Sequence, residues 1–119
     1  MTYHWKELEV WQLSHQLVLD IYQLTASFPR EEKYSLCDQI RRATISIPAN
    51  IVEGHSKNST REFIRFLYIA RGSLEELRYL LFLSKDLNFI AEEKYLGFEQ
   101  ILRNISVKLN NLIQSLKRH

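Results

Sequence analysis

This chain is poor in the residues that interrupt helices and in those that build reactive sites. Its 119 residues include three glycines and two prolines. That is too few for a turn-rich strand architecture, and few enough to leave long helices whole. Cys37 is the one cysteine, which excludes an intrachain disulfide framework and a cysteine-rich zinc site and fits a reducing compartment. The longest nearly apolar run, Tyr79 to Leu83, falls far short of the roughly 20 residues of a membrane helix. The opening stretch MTYHWKELEVW lacks the basic segment, apolar core and small-residue cleavage site of a secretory signal. These absences predict a cytoplasmic protein with no membrane segment.

Catalytic patterns are missing as well. A di-iron helical bundle needs Glu-x-x-His pairs, whose i, i+3 spacing turns both ligands inward, and none occurs. Glu53 and His55 come nearest, but they are two positions apart around Gly54. His4, His15, His55 and His119 are scattered and read as surface or partly packed residues rather than metal ligands. The chain has no phosphate-cradling glycine loop, nucleophile elbow or paired catalytic carboxylates. Glu75 and Glu76 are adjacent acids for which a structural pairing with an arginine of another helix is expected. Cys37 has no neighbour in sequence that would activate its thiol. The expectation is a non-enzyme without cofactor or metal.

What the chain does contain is helical periodicity. Hydrophobic residues make up 45% and aromatics 12%, enough for one core and a single domain over residues 1–119. Val10, Leu13, Leu17, Ile21 and Leu24 form one inward stripe, on a helix predicted from Trp5 to Ala26 and ended by Phe28-Pro29-Arg30. Leu36, Ile40, Ala43, Ile47 and Ile51 form a second, on a helix from Ser35 to Glu53 with Gly54 as its stop, Pro48 inside it, and Ser35 with Asp38 as a cap. After a polar turn over His55 to Asn58, a third helix is predicted from Thr60 to Leu87. It carries Phe63, Leu67, Ala70, Leu74, Leu77 and Leu81, flanked by a second apolar series of Phe66, Ile69, Leu80, Leu83 and Leu87. Gly72 within it suggests close approach of a neighbouring helix. The last helix begins near Ala91 and repeats Phe98, Leu102, Ile105, Leu109, Leu112 and Leu116. Short connections join them, so an all-α, antiparallel up-down-up-down four-helix bundle is the expected fold. Its third helix has more apolar surface than one bundle covers, which points to self-association.

The net charge is only +2, from 16 bases and 14 acids, but it is unevenly spread. Residues 1–20 sum to −2, whereas residues 101–119 hold four bases and no acid. Such a patch suits an anionic partner. Arg61 and Arg65, one turn apart on the third helix, and Arg103, Lys108, Lys117 and Arg118 on the fourth are the candidate nucleic-acid contacts, through phosphate pairing and counterion release. The polar residues of the central stretch need partners of their own, since a buried unpaired amide or charge is costly.

Three blocks carry a family likeness: LEVWQLSHQL near the start, QIRRATISIPANIVEG in the middle and REFIRFLYIARGSLEELRYLL after it. Together they cover most of residues 8–83, and the chain resembles the four-helix-bundle proteins encoded by intervening sequences inside bacterial 23S rRNA genes. The same fold family is similar to the accessory variability proteins of diversity-generating retroelements, which are basic, form pentameric barrels and bind nucleic acid together with a reverse transcriptase. The resemblance implies a ring-like homopentamer whose partners are RNA or another nucleic acid, or a nucleic-acid-handling protein. The family's motif positions fall on Arg42, Ser46, Pro48, Asn50, Glu53, Gly54, Arg71, Gly72 and Glu75. A structural polar network is expected there: Arg42 or Arg71 pairing with Glu53 or Glu75 across helices, with Ser46 and Asn50 serving backbone groups freed by Pro48. The alternative function is a protein–protein scaffold that docks a partner on Phe66, Tyr68, Tyr79 or Phe82 without binding nucleic acid.

Overall fold

A computed structural model describes residues 2–118. Its helices are α1 (Glu9–Thr25), α2 (Leu36–Ser56), α3 (Thr60–Asp86) and α4 (Glu92–Lys117), with single 3-10 turns at Trp5–Glu7 and Arg30–Glu32, and no strand occurs among the described residues. Twenty-seven residues of α3 should span about 40 Å at the helical rise. The molecule measures 46 × 24 × 20 Å, so the helices lie along its long axis.

The predicted stripes are the core. Every residue of the α2 stripe and of the first α3 stripe is buried, and Ile21, Ile40, Ile47, Ile51, Phe63, Leu67, Leu74 and Leu77 are fully so. On α4 the stripe drifts. Phe98, Leu102, Ile105 and Leu109 are buried, but Ile113 then takes the inward place that the heptad reading gave to Leu112. A straight helix turns every 3.6 residues rather than 3.5, so a strict heptad slips out of register after a few turns.

The helix ends differ from expectation for a physical reason. Gly54 does not stop α2, which runs on to Ser56, taking in His55 and Ser56 from the predicted turn. The residues that reverse the chain are Asn58 (φ 53°) and Asn88 (φ 65°), in the left-handed region that asparagine tolerates. After α3 the Asn88 amide donates to the Lys85 carbonyl and the Phe89 amide to the Ser84 carbonyl, both at 2.9 Å. This pattern satisfies the last free carbonyls of the helix. Ser35 is no side-chain cap either, since its hydroxyl donates to Glu32 at 2.9 Å while Asp38 pairs with Arg42 at 3.1 Å. Ser59 does cap α3, accepting from the Glu62 amide at 3.3 Å.

Gly54 is needed for packing. A Cβ there would lie 2.6 Å from Phe66 Cβ and 3.1 Å from Phe63 Cδ1, so α2 and α3 approach closely at this point. Gly72, where a close approach was expected, has no such neighbour within 4 Å. The second α3 series is also split: Phe66 and Leu80 are buried, while Ile69 and Leu87 are exposed.

Candidate nucleic-acid interface

Contacts between the helices bring four segments together at one end of the molecule. Tyr3 lies 5.1 Å from His55, and His55 lies 5.7 Å from Phe63, joining the chain start to the end of α2 and the start of α3. Lys117 donates to the Tyr68 hydroxyl at 2.6 Å, and Arg71 donates to Asn110 at 3.0 Å, so residue numbers rise along α3 as they fall along α4. Lys108 pairs with Glu9 at 2.9 Å, which places the start of α1 beside the second half of α4. The acidic beginning of the chain and its basic ending are therefore neighbours.

Sorting charges by this geometry sharpens the asymmetry. Residues 2–15, 47–73 and 104–118 hold eight cations, Lys6, Lys57, Arg61, Arg65, Arg71, Lys108, Lys117 and Arg118, against four acids, Glu7, Glu9, Glu53 and Glu62. The rest of the chain holds eight cations and ten acids. One end is positive and the other is not, a separation that the near-neutral total conceals.

The candidate cations differ in how free they are. Arg61, Arg103 and Arg118 are exposed and make no side-chain hydrogen bond or ion pair among the described residues. Arg103, near the middle of α4, stands apart from the basic end. Arg65 is held by Glu62 at 3.1 Å, which lowers the Glu62 carboxyl pKa and raises that of Arg65. Lys108 is engaged by Glu9, and Lys117 by Tyr68, whose hydroxyl pKa is lowered chiefly by that hydrogen bond. Of the six, Arg61 and Arg118 thus combine the basic end with an unpaired charge.

Aromatic rings alternate with these cations. Arg65 lies 4.5 Å and Lys57 5.5 Å from the Phe66 ring, and Arg71 lies 4.6 Å and Lys117 5.2 Å from Tyr68. A ladder of His4, Trp5, Trp11 and His15, with centroids 4.7, 4.7 and 5.0 Å apart, continues along the start of α1. The 3-10 turn beneath it is closed by His4 and Glu7: His4 Nδ1 accepts from the Lys6 amide at 3.2 Å, and Glu7 Oε2 accepts from the His4 amide at 2.7 Å. The His-x-x-Glu spacing was the signal for that cap.

The chain matches the 23S rRNA-intervening sequence protein family over residues 6–111. It belongs to that family. A crystal structure of a protein of unknown function from the S23 ribosomal protein family of Bacteroides thetaiotaomicron is similar, at 29% identity and a TM-score of 0.82 over 88% of this chain and 95% of that one. No curated protein sequence matches significantly.

In this 23S rRNA-intervening sequence family member the motif residues do not form the expected cross-helix ion pairs within one chain. Arg42, exposed, pairs with Asp38 on its own helix. Arg71 turns to Asn110 and Tyr68. Glu75 binds Arg78 of the same helix at 2.6 Å, and Arg78 reaches across to Glu99 of α4 at 3.2 Å. The cross-helix arginine pair therefore exists, but between residues the sequence reading did not choose. Glu53 is exposed, and although its carbonyl accepts from the Ser56 hydroxyl at 2.7 Å, its carboxylate makes no hydrogen bond or ion pair among the described residues.

Ser46 and Asn50 do belong to a network. Asn50 Nδ2 donates to the Ser46 carbonyl at 2.7 Å and to its hydroxyl at 2.9 Å, and that hydroxyl shares a 2.8 Å hydrogen bond with Ser73 of α3. The carbonyl that Pro48 releases is that of Thr44, four residues earlier, so Asn50 serves a different group from the one expected. Of the proposed docking aromatics, Phe66 is buried against Gly54 and Tyr68 is half-buried, while Tyr79 and Phe82 are 60% and 42% exposed. No helix is long and apolar enough to cross a membrane, and no cluster of three metal-ligating side chains occurs among the described residues.

Proposed function

We propose that this family member is a non-enzymatic, cytoplasmic RNA-binding protein that works as a ring-like homopentamer of up-down-up-down bundles. One observation carries the reading: the chain's cations gather at the end where α1 and α3 begin and α2 and α4 finish, twice as numerous there as the acids. Arg61 and Arg118 supply unpaired charge for backbone phosphates, and the partly exposed rings of Trp5, Trp11 and Tyr68 provide stacking surface. A single basic end is weak, but a ring repeats it, and repeated weak contacts on one strand add through effective concentration. The opposed residue order of contacting helices supports the bundle topology, and the exposed apolar side chains Tyr79, Phe82, Leu96 and Val107 supply surface for association.

The test is a filter-binding titration with structured RNA at several salt concentrations, alongside light scattering. Expected are a mass about fivefold the 14.2 kDa of one chain, micromolar or tighter binding, and an affinity that falls steeply with salt. Arg61→Gln with Arg118→Gln should flatten the salt dependence by about one unit of slope per charge lost per strand contact. Absence of binding at low salt overturns the proposal.

The exposure of Tyr79 and Phe82 favours a second reading, a scaffold that docks a protein, including a nucleic-acid-handling one, and binds no RNA itself. Affinity purification after nuclease treatment separates the two. Partners that survive the nuclease favour the scaffold.

A further inference from the structure

The end of the molecule away from the basic tip contains one cleft of opposite character to its surroundings. We propose that this cleft, between the end of α1 and the first turn of α2, binds a small phosphomonoester. It encloses about 300 Å³ and is lined by Arg30, Lys33 and Arg41 together with Phe28, Pro29 and the buried Cys37. No carboxylate lies within 4 Å of any of the three cations among the described residues. Elsewhere the surface clefts each set an acid beside their lysine: Glu9 with Lys108, Glu93 with Lys94, Asp20 with Lys94, and Asp86 with Lys85.

Arg41 is already positioned. Its Nε donates to Thr25 Oγ1 at 2.8 Å, its Nη2 donates to the Tyr22 carbonyl at 3.3 Å, and the guanidinium stacks 4.2 Å from the Tyr22 ring. Nη1 makes no hydrogen bond among the described residues and remains available. A guanidinium fixed before the ligand arrives loses little freedom on binding. Of the acids close by in sequence, Asp38 pairs with Arg42, Glu32 accepts the Ser35 hydroxyl at 2.9 Å but keeps its charge, which acts on Cys37, and none of Glu31, Glu32 and Asp38 lines the cleft. Lys33 Nζ lies 5.5 Å from the Tyr34 ring and has no carboxylate partner among the described residues. Three cations lining one cleft suit a compact dianion better than a single carboxylate, and Phe28 and Pro29 suit a short carbon body attached to it. This half of the chain is acidic overall, so the attraction is local to the cleft.

Calorimetric titration in a low-salt chloride buffer, with inorganic phosphate and with glycerol phosphate, is the direct test. One site per chain is expected, with the ester at least as tight as the free ion. Arg30→Gln and Lys33→Gln, both at exposed positions, should each weaken binding by roughly three- to tenfold, while Lys94→Gln should leave it unchanged. No measurable heat at millimolar phosphate, or unchanged affinity in the Arg30 and Lys33 variants, would each overturn the proposal. No RNA enters the measurement, so its outcome is independent of the basic end.

Discussion

Gly54→Ala pits two known effects against each other, and the structure decides between them. Alanine is the better helix former by about 1 kcal/mol, and Gly54 lies within α2, two residues before its end. On propensity alone the substitution would stabilise. The new methyl, however, would stand 2.6 Å from Phe66 Cβ, 3.1 Å from Phe63 Cδ1 and 3.3 Å from Phe66 Cγ, where carbon atoms normally rest about 3.5–4.0 Å apart. A Cβ is attached to the backbone, so no change of the Phe66 rotamer moves it away. Relief requires α2 and α3 to part beside the fully buried Phe63. Overpacking of this kind costs about 1–3 kcal/mol, and a backbone-anchored clash belongs at the upper end. The net loss is then about 1–2 kcal/mol, or a fall in Tm of roughly 4–8 °C for a domain of this size. Gly72→Ala is the matched control. Its methyl meets nothing within 4 Å, so the propensity gain stands alone and Tm should rise by a few degrees. Thermal melts followed by circular dichroism at one protein concentration measure both. A Gly54→Ala protein as stable as the parent, or two shifts of the same sign, refutes the reasoning.

Glu53→Ala should change stability by no more than about 0.5 kcal/mol, because the side chain is exposed and unpaired. A free energy of unfolding in urea that changes by several times that amount would mean that Glu53 carries a contact beyond its own chain. Lys117→Gln should raise the pKa of the tyrosine that ionises earliest, since the lysine's hydrogen bond is what chiefly lowers the Tyr68 hydroxyl pKa. A lowered folded pKa favours the phenolate, so this contribution is present above the ordinary tyrosine range and is lost as pH falls through the folded pKa. Tyrosinate absorbance against pH reads the shift, and an unchanged curve would remove the Lys117–Tyr68 bond as its cause.

Much of the fold could be read from spacing, because the core is a set of stripes and burial follows helical period. All five predicted stripe residues of α2 are buried, as are all six of the first α3 stripe. Misreadings cluster where a residue type has two uses. Glycine both ends helices and lets them touch, and only the neighbour across the gap, Phe66, shows which role Gly54 has. Asparagine at Asn58 and Asn88 was the available stop signal, since it enters the left-handed region at small cost. Ser35 and Asp38 have the spacing of a cap, but each finds a competing partner, Glu32 and Arg42, one turn away.

The candidate site was less legible because charge counts do not show which charges are engaged. Lys108 and Lys117 belong to an acid-free stretch of sequence, yet in space one meets Glu9 from the opposite end of the chain and the other meets Tyr68 of α3. Arg61 and Arg118 looked no stronger than these in sequence, and of the six candidates they are the two at the basic end with no side-chain hydrogen bond or ion pair among the described residues. The same logic singles out Arg41. It adjoins Arg42 in sequence, and a pair of arginines invites one interpretation for both. Arg42 is neutralised by Asp38, whereas Arg41 faces a cleft with two other unpaired cations and no acid among its walls. An anion gains most where positive charge is fixed in place and uncompensated, so the availability of each cation, more than the net charge of the chain, determines where phosphate should bind.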